Sequence, residues 1–112
     1  RLVRCAVGEG VIDWPAMLLL LREVAPEARA QIELAALYAR HIRVLEDDWW
    51  AGFPPRDVRD FVPALRLLAR NARPESDPWQ SPWEREAAVE EVGQWEKQQF
   101  EDSVRYLRSI GA

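Results

Sequence analysis

One short segment with the pattern of a β-strand stands among longer helical patterns, and it limits what the chain can fold into. Residues 28–34 follow a predicted helix after a short turn and alternate in polarity, so that Gln31 and Glu33 share a face. A helix, a short turn and a strand form half of an α/β repeat. Because a single strand cannot make a sheet, we expect its partner strands to lie upstream of Arg1.

Helices are predicted on both sides of this segment. Asp13 precedes Trp-Pro and has the character of an N-cap, so a helix begins after it and ends before Pro26. Apolar residues at helical spacing predict an amphipathic helix over residues 56–71, with arginines on its other side. Residues 35–55 lack a clear period and form a long connection; connections of about 20 residues are usually functional, oligomeric or partly helical.

A long helix is predicted at the C-terminal end of the sequence. Ser-Pro-Trp-Glu at residues 81–84 matches a capping box with proline in the first helical position, after a proline-rich linker. From there the helix runs to about Ser109. Its apolar residues fall on two faces about 100° apart, one with Ala88, Val92, Trp95, Tyr106 and Ile110 and the other with Val89, Phe100, Val104 and Leu107. We therefore expect this helix either to contact two neighbours or to bend at Gly93.

Composition argues against two classes of partner. The chain has fifteen Lys and Arg against nineteen Asp and Glu, a net charge of -4 and no basic run, so nucleic acid is not an expected partner. The longest apolar stretch, residues 16–21, is far below the roughly 18–20 residues that span a bilayer, so we expect no membrane insertion. The single cysteine, Cys5, favours a cytoplasmic location. A start at Arg1, without methionine or targeting peptide, predicts that the chain is a fragment.

Glu33 is the first candidate for chemistry. A carboxylate in the middle of an otherwise apolar strand costs several kcal/mol to bury unless a cation or a donor meets it. The residues alone favour an arginine salt bridge or an exposed strand end, and leave metal ligation as the alternative.

The order of these motifs resembles the xylose-isomerase-like superfamily, the sugar phosphate isomerases and epimerases. The similarity covers residues 7–53 and rests on Val-Gly-Glu-Gly-Val-Ile-Asp-Trp at residues 7–14, the apolar helix after it and Ile32-Glu33. In that family the eighth strand ends in a glutamate that coordinates a divalent metal, and Glu33 occupies the matching position. The resemblance implies an α/β fold, the C-terminal portion of a (β/α)8 TIM barrel, with this chain mostly α-helical and carrying one or two short strands.

The resemblance also implies how the chain is divided. Residues 1–55 would form the last helix-strand unit of the barrel with its C-terminal loop, and residues 56–73 a helix that covers the barrel. Residues 74–112 would form a linker and a long helix that could make an oligomer contact. Glu33 would bind a divalent ion, manganese, magnesium or zinc, together with ligands from the missing N-terminal part of the barrel.

The loop after the expected strand supplies candidate substrate contacts. Arg40 and His41 lie where loops of this family approach the substrate, and Trp50 could stack on a sugar ring. His41 is the only histidine, and a lone histidine in a polar loop is more often solvated than chemically active. Trp49, Trp50 and Phe53 could instead anchor the loop or meet a second subunit, which the following prolines favour. No catalytic residue is identified in this chain.

These expectations lead to hypotheses from two classes. The resemblance implies part of a metal-dependent sugar or sugar phosphate isomerase or epimerase, acting by proton transfer through an enediolate and inactive as a fragment. An inosose-dehydratase-like lyase of the same superfamily is an alternative. The hypothesis from the other class is a noncatalytic helical module, whose tryptophans and terminal helix dock a partner or form a homo-oligomer.

Overall fold

The computed structural model describes residues 2–33, 42–74 and 76–111 of the chain, and the regular structure in these ranges is helical. It consists of four α-helices and a 3₁₀ turn: α1 is Trp14–Val24, α2 is Asp47–Trp50, the 3₁₀ turn is Val58–Phe61, α3 is Val62–Asn71 and α4 is Val89–Ser109. The contacts divide the described residues into a terminal unit, residues 3–33 and 80–111, and a middle unit, residue 2 with 42–74 and 76–79.

The expected α/β fold, the C-terminal portion of a TIM barrel, is wrong. Residues 28–33 are irregular where the strand was predicted, and the described ranges contain no β-strand, only an isolated bridge residue at Leu2. A strand exists through backbone pairing with a neighbour, and a short alternating pattern cannot supply that neighbour. The segment also has only one β-branched residue, Ile32, so its composition favours a strand weakly.

The predicted start and end of α1 are confirmed. The Asp13 carboxylate accepts a hydrogen bond from the Ala16 backbone N–H at 3.0 Å, as an N-cap does. The backbone N–H of Ala25 donates to the Leu21 carbonyl at the other end. Pro26 follows and has no N–H with which to extend the helix.

Local capping also begins the 3₁₀ turn of the middle unit. The Asp57 carboxylate accepts from the Arg59 backbone N–H at 2.9 Å and begins the 3₁₀ turn that leads into α3, so the predicted helix over residues 56–71 is confirmed for its greater part. The long connection of residues 35–55 is partly helical, because it contains α2; residues 34–41 lie outside the described ranges.

The predicted capping box forms, but α4 does not begin there. The Ser81 N–H donates to the Glu84 carboxylate at 2.9 Å, and the Glu84 N–H donates to the Ser81 hydroxyl at 3.2 Å. Glu86 then adopts a positive φ of 56°, which a right-handed helix does not allow, so α4 starts only at Val89. It continues through Gly93 to Ser109. No described helix, α4 included, is both long and apolar enough to cross a membrane.

Contacts between distant parts of the sequence close the terminal unit. The Ser103 side chain is fully buried, and its hydroxyl accepts from the Val7 backbone N–H at 2.9 Å while donating to the Gln99 carbonyl at 2.6 Å. Gly8, with φ of 98°, lies against the ring of Tyr106. One face of α4 is therefore fixed against the segment that precedes α1.

Candidate functional site

Glu33 lines a cavity of the terminal unit with a volume of about 520 Å³. Trp14 at the start of α1 and Trp95 on α4 contribute aromatic walls, and Cys5 lies on the segment before α1. Glu33 is exposed and its backbone is irregular, so its carboxylate does not carry the burial penalty expected of a strand interior. The cavity is mostly apolar, as ligand pockets are, and it falls within their usual range of about 300–1,000 Å³.

The polar part of this cavity consists largely of oxygen acceptors. Glu33 and Glu96 carry carboxylates, and the side-chain oxygen of Gln99 is buried with no hydrogen-bond partner among the described residues. These oxygen acceptors suit a ligand that carries N–H donors. Arg4 also lines the cavity. In the described ranges no three His, Cys, Asp or Glu side chains gather as a metal site. Glu33 as a ligand for a divalent ion stays a prediction.

Cys5 has a thiol whose chemistry is set by its surroundings. Partial burial raises the pKa of Cys5 above its ordinary value, and the negative charge of Glu9 raises it further. A raised pKa keeps the thiol protonated near neutral pH, and the thiol is a much weaker nucleophile than the thiolate. The arrangement therefore gives no support to nucleophilic catalysis by Cys5.

Trp50 belongs to an aromatic cluster in the middle unit. Its ring centroid lies 6.0 Å from that of Phe53 and 6.0 Å from that of Phe61, with interplanar angles of 62° and 83°. The indole N–H donates to the Val44 carbonyl at 2.9 Å, and 41% of the residue stays exposed. These edge-to-face contacts favour the anchoring interpretation of Trp50 over a free stacking surface. A cavity of about 550 Å³ lies beside the cluster.

The charged rim of this second cavity is neutralised locally. The guanidinium of Arg59 donates to both carboxylate oxygens of Asp57, one of them at 3.0 Å from Nε. These side-chain hydrogen bonds hold the pKa of Asp57 below its ordinary value and raise that of Arg59. Asp57 is thus a capping and pairing group, which leaves Asp60 and Arg56 as the other charged residues at this cavity.

The residues predicted to form one site fall in different parts of the chain. Glu33 belongs to the terminal unit and Trp50 to the middle unit, and each lines a cavity of its own unit. Arg40 and His41 lie outside the described residues, so their contacts with a substrate stay a prediction. Trp14 and Trp95 were not assigned to any site from the sequence. Their only signal was the position of Trp95 on an apolar face of the terminal helix, and that signal does not identify a cavity.

Comparison with protein-family models, with curated proteins and with solved structures finds no match to this chain. The resemblance to the xylose-isomerase-like superfamily thus has no matching relative to support it and stays a prediction from motif order.

Proposed function

We propose that this chain is a noncatalytic helical interaction module, which covers its apolar side chains by associating with a second polypeptide. One observation carries the proposal. Among the described hydrophobic residues only Ala6 is buried, whereas eighteen large apolar side chains are exposed. Single exposed apolar residues are normal on any protein. When most large apolar side chains are exposed, however, the hydrophobic effect, the main driving force of folding, contributes little.

The exposed apolar residues concentrate on helices, where they form faces suited to packing. On α1, Met17, Leu20 and Val24 share one side of the helix and are 42%, 56% and 68% exposed. On α4, Val89 is 82% exposed. Covering such a side chain contributes about 1.5–3 kcal/mol, so a few of them together can drive association. Neighbouring apolar side chains that are exposed in this way are typical of protein contacts.

The isomerase hypothesis stays open without an observation in its favour. Its expected strand is irregular, and its sugar, its divalent ion and a related lyase activity rest on the resemblance alone. The expected cytoplasmic location rests on the single cysteine. The interaction proposal needs none of these assumptions.

Sedimentation of the purified chain tests the proposal. We expect a helical circular dichroism spectrum and a mass above the 13.0 kDa of one chain, decreasing on dilution as a reversible oligomer dissociates. A chain that stays monomeric up to millimolar concentration and binds no hydrophobic dye would contradict it. Divalent-ion binding together with sugar turnover, when upstream sequence is restored, would support the isomerase hypothesis instead.

A further inference from the structure

α4 carries a second apolar face that the terminal unit leaves partly uncovered. At about 100° per residue, six residues lie within roughly 40° of the direction of Phe100. Glu96 is one of them and lines the cavity of the terminal unit; we name the other five the open face: Val89, Gly93, Phe100, Val104 and Leu107. Val89 is 82% and Phe100 47% exposed. Apart from the helix's own backbone and the two adjacent residues, no atom of the described residues lies within 4 Å of the point where a Cβ on Gly93 would stand. The open face is therefore accessible at Val89, Gly93 and Phe100, whereas Val104 and Leu107 are partly buried.

The other side of α4 is already occupied. Ser103 and Tyr106 meet the segment before α1, through the Val7 hydrogen bond and the Gly8 contact. This asymmetry matches the two apolar faces of the sequence: one is packed within the unit, and on the other Val89 and Phe100 stay exposed. A neighbour that covers Val89 and Phe100 must come from elsewhere than the described part of the terminal unit.

The charges beside the open face identify what kind of neighbour fits it. Glu90, Lys97, Glu101 and Arg108 all lie between about 60° and 100° to one side of Phe100. Their signs alternate along the helix, negative, positive, negative, positive. Lys97 and Glu101 approach to 3.8 Å across one turn, and Lys97 has 76% of its side chain exposed. This order of charges is complementary to itself when it is reversed.

We propose that the open face of α4 packs antiparallel against the open face of a second copy of this chain. Glu90 would then lie opposite the partner's Arg108, and Lys97 opposite the partner's Glu101. Both pairs share one midpoint at residue 99, so a single two-fold axis brings both into register and places Phe100 near the centre. In a parallel pair the two charged flanks would lie on opposite sides of the contact, so these charges would not meet. The inference rests on the proposed function, and it names the surface and the partner.

Charge reversal at the ends of α4 tests the antiparallel register. By sedimentation, Glu90→Arg and Arg108→Glu should each weaken self-association about three- to thirtyfold, because each puts like charges opposite one another. The double variant should restore wild-type affinity within about threefold, since reversed partners attract again. Residues 90 and 108 are about 27 Å apart along one helix, so this rescue cannot arise within a single chain. Glu27→Arg, an exposed acid outside α4, is the matched control and should change nothing.

A second variant tests the apolar part of the face. Phe100→Glu should reduce association more than a hundredfold, because an unpaired carboxylate would be buried at the centre of the contact. Leu45→Glu changes an exposed leucine of the middle unit in the same way and should leave association intact. Circular dichroism establishes that each variant is folded. If Phe100→Glu fails to fold, the surface charge variants, which disturb no packing, decide the question.

The outcomes separate this inference from the function on which it rests. A wild-type chain that does not self-associate overturns the α4 contact, and it removes the proposed function as well if the chain also binds no hydrophobic dye. A chain that associates while both single charge variants keep wild-type affinity overturns the antiparallel α4 contact and leaves the interaction module in place. Weakened single variants that the double variant fails to rescue also overturn the proposed register.

Discussion

The two units of the chain are held by contacts of different range. In the terminal unit, the Val7 backbone N–H donates to the Ser103 hydroxyl, 96 positions away in the sequence. The Arg22 guanidinium donates to the Gly111 carbonyl, 89 positions away. In the middle unit, the side-chain hydrogen bonds found among residues 42–74 join partners at most six positions apart. Local contacts cost little loop-closure entropy and can form one at a time, whereas long-range contacts need the whole unit in place. We therefore expect the terminal unit to unfold cooperatively and the middle unit to open locally.

The largest expected effect comes from Gly8, whose backbone lies directly against the Tyr106 ring of α4. A Cβ at this position would stand 2.5 Å from the Tyr106 ring, and the backbone φ of 98° strains any residue other than glycine. Gly8→Ala should lower the free energy of unfolding by about 2–4 kcal/mol, from backbone strain and overpacking together. Chemical denaturation monitored by circular dichroism at 222 nm measures this change in the free energy of unfolding.

Gly93 provides the matched control for this prediction. It lies inside α4 with open space around its Cβ position, so Gly93→Ala should be neutral or should raise the free energy of unfolding by up to about 1 kcal/mol. If Gly8→Ala were as stable as Gly93→Ala, the contact between the N-terminal segment and α4 would not exist as described.

Removal of the buried hydroxyl of Ser103 should have the next largest effect. Ser103→Ala leaves the partly buried backbone N–H of Val7 without its acceptor on the fully buried side of α4, which costs about 1–3 kcal/mol. Ser109→Ala removes the hydroxyl of an exposed serine near the end of the same helix and should change stability by less than about 0.5 kcal/mol. Hydrogen exchange should show lost protection at residues 7–9 in the first variant only.

The middle unit should respond to substitution without affecting the terminal unit. Trp50→Ala removes both aromatic contacts and the indole hydrogen bond to Val44. Because Trp50 is partly exposed, we expect the free energy of local unfolding of the middle unit to fall by about 1–2 kcal/mol. Hydrogen exchange should accelerate at α2 and the 3₁₀ turn while α4 keeps its protection. Equal acceleration in both units would show that the two are one cooperative structure.

The same distinction of range explains what the sequence could predict. α1 was predicted at both ends because Asp13 and Pro26 act on their immediate neighbours. The strand predicted over residues 28–34 was wrong for its described part, residues 28–33, because a strand depends on a partner that no local pattern encodes. The capping box at Ser81 was correct as local chemistry, but the left-handed conformation of Glu86 interrupts the helix that it would have begun.

The candidate site was less accessible to sequence reasoning than the helices. Glu33 was singled out and does line a cavity, although on an exposed irregular segment. Trp14 and Trp95 line the same cavity but are far apart in the sequence, and only the closure of the terminal unit joins them. Residues gathered by long-range contacts leave no fixed spacing from which a motif could be recognised.

The smallest expected effect separates the two causes that raise the pKa of Cys5. Burial is the larger cause and the charge of Glu9 the smaller, so Glu9→Gln should lower the pKa of Cys5 while leaving it above its ordinary value. As the single cysteine, Cys5 can be followed by its alkylation rate against pH, with Glu27→Gln as the control.

The folded state holds the thiol proton of Cys5 more tightly than the unfolded chain, so the associated stability is present at low pH. It is lost as pH rises above about 8.5, through the ordinary pKa of a cysteine and then the raised one. An alkylation profile already at the ordinary pKa in the wild type would contradict the partial burial of the Cys5 thiol beside Glu9.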